Sequence, residues 1–136
     1  MTFSKAAKKY GYKSGLEKTV ADQIKKRGLH VKYEDPSSRI NFTQPAVDRT
    51  YTPDFILPNG IVVETKGRFT LEDRKKHLWI KQQTDYDIRF VFSNSKAKIR
   101  KGSKTSYADW CTKHGFLYAD KLIPEDWFDE TRTKKR

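Results

Sequence analysis

The chain has 136 residues, enough for one domain with a real core and little room for a second. Its 29 lysines and arginines against 17 aspartates and glutamates give a net charge of +12 and a pI of about 9.8, an excess that favours a polyanionic partner such as nucleic acid. No apolar run approaches a membrane span, no signal-peptide pattern opens the sequence, and a single cysteine, Cys111, excludes an internal disulfide, so a soluble intracellular protein is expected.

Ser14-Gly15-Leu16-Glu17 has the form of a capping box, and Leu16, Val20 and Ile24 give the helix that follows an apolar stripe, with Gly28 placed to end it. Glu17 has a second reading: packed against the rest of the chain, the first turn of this helix could aim its carboxylate at a metal site. Residues 30–34 alternate in the manner of a strand. A polar, proline-punctuated connection runs on to Arg49.

Pro53-Asp54-Phe55, Pro58-Asn59-Gly60 and Glu64-Thr65-Lys66 then describe a tight β-hairpin carrying two carboxylates and a lysine. A two-residue Asn59-Gly60 loop would set Asp54 opposite Thr65 and scatter these groups. A three-residue loop sets Asp54 opposite Glu64, with Lys66 one pleat along. Pro58 suits the second position of a type I turn and Gly60 the left-handed position after it, so the three-residue register is expected, with Phe55, Leu57, Ile61 and Val63 facing the core. Hard carboxylate oxygens that hold a divalent cation, next to a lysine that positions water or offsets phosphorane charge, are the parts of a metal-dependent phosphodiesterase.

A helix over residues 71–83, with Leu78 and Ile80 among basic side chains, is followed by a strand over 87–92. Ser106-Tyr107-Ala108-Asp109 is a further capping box, and Gly115 stops the short helix it opens. His30, His77 and His114 lack paired-ligand spacing, which argues against a zinc site and favours a surface or DNA-facing place for each. Gly102-Ser103-Lys104-Thr105 lacks the upstream glycine of a phosphate loop and reads as a turn. Cys111, beside Trp110, reads as packed. Tyr107, Trp110, Phe116 and Tyr118 read as core rather than base-stacking groups. Basic residues are spread over 5–13, 66–81, 96–104 and 132–135; the candidate DNA contacts are Ser14, Lys66, Arg74, Lys75, Lys76, His77, Lys101 and Lys104.

From about residue 14 to residue 127 the sequence resembles the endonuclease I family of T-seven-like bacteriophages, which are Holliday-junction resolvases. The resemblance rests on Ser14-Gly15-Leu16-Glu17, Tyr51-Thr52-Pro53-Asp54-Phe55, Leu57-Pro58-Asn59-Gly60-Ile61 and Glu64-Thr65-Lys66-Gly67. It continues through Asp73-Arg74-Lys75-Lys76-His77-Leu78, Val91-Phe92-Ser93, Thr105-Ser106-Tyr107, Lys113-His114-Gly115 and Ala119-Asp120-Lys121-Leu122-Ile123-Pro124. It departs from the family over residues 35–49 and in its shorter basic tail.

The resemblance implies an α/β, restriction-endonuclease-like fold of the PD-(D/E)xK type, a mixed sheet flanked by helices, in an intertwined, domain-swapped homodimer. Within a single nuclease domain spanning residues 1–136, it implies an N-terminal helix and strand (1–41), an inter-subunit bridge (42–49) and the catalytic hairpin with the remainder (50–136). The polar, Pro45-containing segment suits such an extended bridge. Glu17, Asp54, Glu64 and Lys66 are the implied active site, with Glu17, Asp54, Glu64 and the Thr65 carbonyl as ligands of two Mg²⁺ or Mn²⁺ ions. The implied substrate is branched DNA, four-way junctions above all, cut to a 5′-phosphate and a 3′-hydroxyl in the cytoplasm of an infected bacterium, with no nucleotide cofactor and no membrane. Another DNA substrate, such as a transposon end or a mismatch, or a basic DNA-binding module without turnover, stands as the alternative.

Overall fold

The computed structural model describes residues 15–44 and 47–131. Ser14, Pro45, the basic residues of 5–13 and the tail from 132 lie outside the described residues. Helix α1 (Gly15–Lys26) leads to the short strand β1 (Lys32–Tyr33), a 3₁₀ turn (Pro36–Ser38) and the strands β2 (Ile40–Gln44) and β3 (Val47–Tyr51). Then come β4 (Phe55–Ile56), β5 (Val62–Lys66), α2 (Leu71–Gln83), β6 (Ile88–Phe92), α3 (Tyr107–His114), β7 (Tyr118–Asp120) and α4 (Glu125–Asp129).

Five strands form one mixed sheet in the order β1-β4-β5-β6-β7. β1, β4 and β5 pair antiparallel, whereas β5, β6 and β7 run parallel, with α2 and α3 in the two crossovers that parallel pairing requires. Both faces are covered. On one, Ile56, Val62, Ile88, Phe90 and Phe92 pack with Phe69, Ile80, Tyr107, Trp110, Cys111 and Phe116; on the other, Phe55, Leu57, Ile61, Val63 and Val91 meet Val20, Ala21 and Ile24 of α1 and Trp127 of α4. Cys111 is fully enclosed, as its neighbourhood with Trp110 suggests.

Both loops that fix the hairpin and α3 follow from local chemistry. Leu57 N–H donates to the Ile61 carbonyl and Gly60 N–H to the Leu57 carbonyl, each at 2.9 Å, so the loop is the three residues Pro58, Asn59 and Gly60, with Gly60 at φ 91°. β4 and β5 consequently pair Phe55 with Val63, the register that sets Asp54 opposite Glu64. In α3, the Ser106 and Asp109 side chains exchange hydrogen bonds with each other's backbone N–H, and Gly115 (φ 79°) closes the helix in the left-handed conformation.

The segment expected to extend as a bridge is folded back. β2 and β3 pair antiparallel from Ile40↔Tyr51 to Gln44↔Val47, forming a separate two-stranded sheet. Ile40, Phe42 and Tyr51 point its apolar side into the core beside Ile80, and the Gln83 amide donates to the Thr43 carbonyl and accepts from Thr43 N–H. Ile40 and Phe42 are buried at alternate positions of β2 and Tyr51 faces Ile40 from β3, while the rest of β3 is exposed.

Behind the sheet, Arg89 of β6 is buried between two carboxylates. Its guanidinium donates to Asp87 at 3.0 and 2.7 Å and, as a fork, to Glu130 at 2.7 and 2.8 Å, while lying 5.2 Å from the Trp127 ring centroid. These bonds tie the C-terminal helix to the sheet. No helix among the described residues is long and apolar enough to cross a membrane.

Candidate active site

The functional groups expected from the sequence converge at the open end of the β4–β5 hairpin. The ladder stops at Phe55↔Val63, one residue short of Asp54. Asp54 is instead held by side-chain bonds: Thr65 donates to Asp54 Oδ2 from its backbone N–H (3.0 Å) and its hydroxyl (2.8 Å), and Asp54 N–H donates to Glu64 Oε1 (3.3 Å). The Asp54 carbonyl accepts from Glu34 N–H at 3.2 Å.

Glu17, from the first turn of α1, arrives from the side of the sheet that α1 covers and is buried against it. Tyr33 of β1 donates its hydroxyl to Glu17 Oε1 at 2.8 Å. Carboxylate oxygens of Glu17, Glu34 and Asp54 lie within 4.8 Å of one another. Glu34 carries its side chain there from a left-handed backbone (φ 43°), a conformation uncommon for a residue with a side chain. Here α1 and the hairpin of the same chain build the cluster.

Glu64 is equally buried. The Tyr51 hydroxyl donates to Glu64 Oε1 at 2.6 Å, and the Lys66 ammonium stands 3.7 Å from Glu64 Oε2 and 3.2 Å from Asp73 Oδ1. Burial, reinforced by the neighbouring Glu17 charge, pushes Asp54 up to about 7. Burial and the Asp54 charge do the same to Glu64, also to about 7, against the pull of Lys66 and the Tyr51 hydroxyl. Burial alone would lower Lys66, but Glu64 and Asp73 outweigh it and hold the ammonium above the usual lysine range.

This donor set fits a hard divalent cation. Glu17, Glu34 and Asp54 cluster with Glu64 beside them, and burial together with the neighbouring carboxylates raises Asp54 and Glu64, a cost that a bound divalent cation would relieve. Oxygen-only ligands of this kind suit Mg²⁺ or Mn²⁺ rather than zinc.

Two of the expected DNA contacts are not at the surface. His77 is fully buried, edge-on to Tyr51 and Phe90 with ring centroids 5.0 and 4.9 Å away, and neither ring nitrogen has a hydrogen-bond partner among the described residues. Burial, with Lys76 and Lys66 nearby, keeps it neutral, well below the ordinary histidine range. Arg74 is also buried, donating to the Phe69 carbonyl (2.7 Å) and the Ile99 carbonyl (3.2 Å). It braces the loop after β5 against the loop after β6. Arg74, His77 and Ile80 recur at helical spacing as the inner face of α2, a face disguised by two polar residue types. Lys75, Lys101 and Lys104 are exposed, Lys76 half-buried over the Tyr51 ring; the loops that Arg74 braces add Arg68, Arg100 and Lys101 around one groove.

Glu34, Tyr33, Tyr51 and Asp73 join the site without having been singled out as site residues. Only Asp73 had a local signal, the Thr70-x-x-Asp73 capping pattern that opens α2.

The model of the family described as phage endonuclease I matches residues 1–135. The chain is 49% identical over 131 residues to "Endonuclease I" of Escherichia phage T7, covering 95% of this chain and 87% of that protein. It is 50% identical over 134 residues to "Endodeoxyribonuclease 1" of Enterobacteria phage T3, covering 91% of this chain and 87% of that protein. A basic chain with an Asp-Glu-Lys hairpin, an added glutamate from α1 and relatives of this kind belongs to the phage endonuclease I family.

Proposed function

We propose that the chain is a divalent-metal-dependent endodeoxyribonuclease that resolves four-way DNA junctions and other branched DNA by paired phosphodiester hydrolysis. The observation that carries this reading is the convergence of Glu17, Asp54, Glu64 and Lys66 in one buried acidic site on a strongly basic protein. The printed names of both relatives support DNA as the substrate.

Glu17, Asp54, Glu64 and the Thr65 carbonyl would hold Mg²⁺ or Mn²⁺, two ions per site. When bound, such ions supply the positive charge that acidifies water and neutralises the phosphoryl oxygens. Lys66 orients the attacking water or offsets charge on a non-bridging oxygen. The new bond joins the water oxygen to phosphorus, the bond to the 3′ oxygen breaks, and that oxygen leaves with a proton, giving a 3′-hydroxyl and a 5′-phosphate. Tyr33 and Tyr51 keep Glu17 and Glu64 in fixed rotamers. Exposed Lys75, Lys101 and Lys104, with Arg68 and Arg100, follow the DNA backbone.

The active species in this reading is a restriction-endonuclease-like, intertwined homodimer, working in the infected bacterial host. Exchanging the β2–β3 pairing between two chains would preserve each strand contact while handing α1 and its Glu17 to the partner's hairpin. Two symmetric cuts then follow from two-fold symmetry.

The test is cleavage of a synthetic four-way junction and a linear duplex of the same sequence, with Mg²⁺ and with chelator. Paired nicks in the junction, only with metal, are expected. Equal cutting of the duplex overturns junction selectivity and favours another DNA substrate. Binding without any cutting leaves a basic DNA-binding module.

A further inference from the structure

Lys66 ends β5, and a short loop later Thr70 caps α2. The loop is anchored by Phe69, which is nearly fully enclosed and packs against Phe90, Phe92, Tyr107 and Trp110 at centroid distances of 4.9, 5.4, 5.8 and 5.0 Å. The start of α2 is therefore held at a fixed place beside the end of β5. Asp73, in the first turn of α2, divides its two carboxylate oxygens. Oδ2 accepts from Thr70 N–H at 3.2 Å and completes the helix cap; Oδ1 faces the Lys66 ammonium at 3.2 Å. Glu64, the other anion beside that ammonium, is farther off at 3.7 Å.

A lysine reaches its target through a flexible four-carbon stem, so its ammonium is placed only as well as its partners place it. Both groups of the ion pair are largely withdrawn from water, the Lys66 side chain 14% and that of Asp73 21% exposed, so the contact is little screened. The bond from Thr70 N–H to Oδ2 holds the Asp73 carboxylate in place independently of the lysine. Glu64 would share its charge with a bound cation, whereas Asp73, the nearer of the two anions paired with the ammonium, would keep facing it.

We propose that Asp73 is a positioning residue for Lys66: the cap of α2 doubles as a clamp that holds the lysine ammonium at the reaction site. The cleavage part of its test rests on the functional reading above; the clamp itself does not.

Two variants separate clamp from cap. Asp73→Asn keeps an oxygen that accepts from Thr70 N–H but removes the charge facing Lys66. Thr70→Ala removes the hydroxyl that caps Asp73 N–H and leaves the Asp73 carboxylate in place. Single-turnover junction cleavage at saturating protein, junction affinity in chelator and thermal melting are measured for each, together with the Lys66 ammonium cross-peak in ¹⁵N-lysine spectra of metal-free protein, assigned with Lys66→Arg. In Asp73→Asn we expect cleavage to fall by roughly tenfold to a hundredfold, affinity to be unchanged and the cross-peak to vanish into exchange with water. Thr70→Ala should melt earlier yet keep both the cleavage rate of its folded fraction and the cross-peak. Asp73→Asn cutting at the wild-type rate, or keeping the cross-peak, overturns the proposal, and so does an equal loss of rate in Thr70→Ala. If the wild-type chain cuts no DNA at all, the functional reading falls and the cross-peak alone decides the clamp.

Discussion

Thr65 gives two hydrogen bonds to a single oxygen of Asp54, one from its backbone N–H at 3.0 Å and one from its hydroxyl at 2.8 Å. The pair takes over where the β4–β5 ladder ends and holds a buried carboxylate that burial would otherwise protonate still more strongly. Thr65→Val keeps the shape and the N–H but deletes the hydroxyl bond. Above pH 7, where the carboxylate is charged, it should cost about 1.5–3 kcal/mol of stability, as for a hydrogen bond to a charged group, and raise Asp54 further. Chemical denaturation and carboxyl NMR titration check this; an unchanged Asp54 titration would mean the hydroxyl bond is idle.

Asp54→Ala and Glu64→Ala should each lower metal-dependent cleavage by roughly a thousandfold or more. Junction affinity measured by gel shift should survive, because phosphate contacts on the basic surface dominate binding and neither carboxylate belongs to that surface. Mn²⁺ binding followed by calorimetry should weaken in both. Wild-type cutting by either variant would remove that residue from the site.

The raised acids predict a definite pH dependence for the metal-free protein. Unfolded carboxylates titrate near pH 4, whereas Asp54 and Glu64 hold their protons to about 7, so between these values the folded state binds more protons and stability falls as pH rises. Buried His77 acts with the opposite sign. It stays neutral when folded but takes a proton when unfolded below about pH 6.5, so its contribution grows as pH rises to that value. The difference between Asp54→Asn and wild type reads the Asp54 carboxylate together with its coupling to Glu64: the variant should gain on the order of 1–3 kcal/mol relative to wild type from pH 4 to 7, and Mg²⁺ should shrink the gap. A pH-independent difference in melting would count against a proton on Asp54.

Glu17 distinguishes a closed chain from an exchanged one. Glu17→Gln keeps an acceptor for the Tyr33 hydroxyl, so folding should be maintained while cleavage is lost. An inactive Glu17→Ala chain co-refolded with an inactive Glu64→Ala chain should then recover nicking if sites are shared across a dimer, since one site carries both lesions and the other neither. A verified heterodimer without activity would count against the exchange and leave a side-by-side dimer or a monomer, with Glu17 beside Asp54 of its own chain.

Legibility varied with how local the determinant was. The hairpin register could be read because Pro58 and Gly60 select the loop, and α3 because Ser106, Asp109 and Gly115 mark both its ends. α2 runs from Leu71 to Gln83 as its pattern suggests, yet its inner face of Arg74 and His77 was invisible to a reading that expects apolar residues inside. The β2–β3 pair has the look of a connection in the sequence because β3 exposes four of its five residues, leaving no alternation to see. β7 and α4 are three and five residues long, too short for periodicity. Glu34 enters the site through one left-handed residue after β1, and Asp73 through a loop pinned by Phe69; both depend on contacts made only once the sheet is assembled.

The Arg89 fork has a practical consequence for shortening the protein. Removing residues inward from the C-terminus meets an electrostatic stop at Glu130, because that carboxylate neutralises a guanidinium lodged inside the sheet and its carbonyl accepts from the Asn59 amide in the hairpin loop. A version ending at Asp129 would leave Arg89 with Asp87 alone and free one anchor of the loop that aligns Asp54 with Glu64. Trimming to probe the basic tail should therefore stop after Glu130; beyond it, lost activity would reflect a loosened hairpin rather than lost DNA contacts.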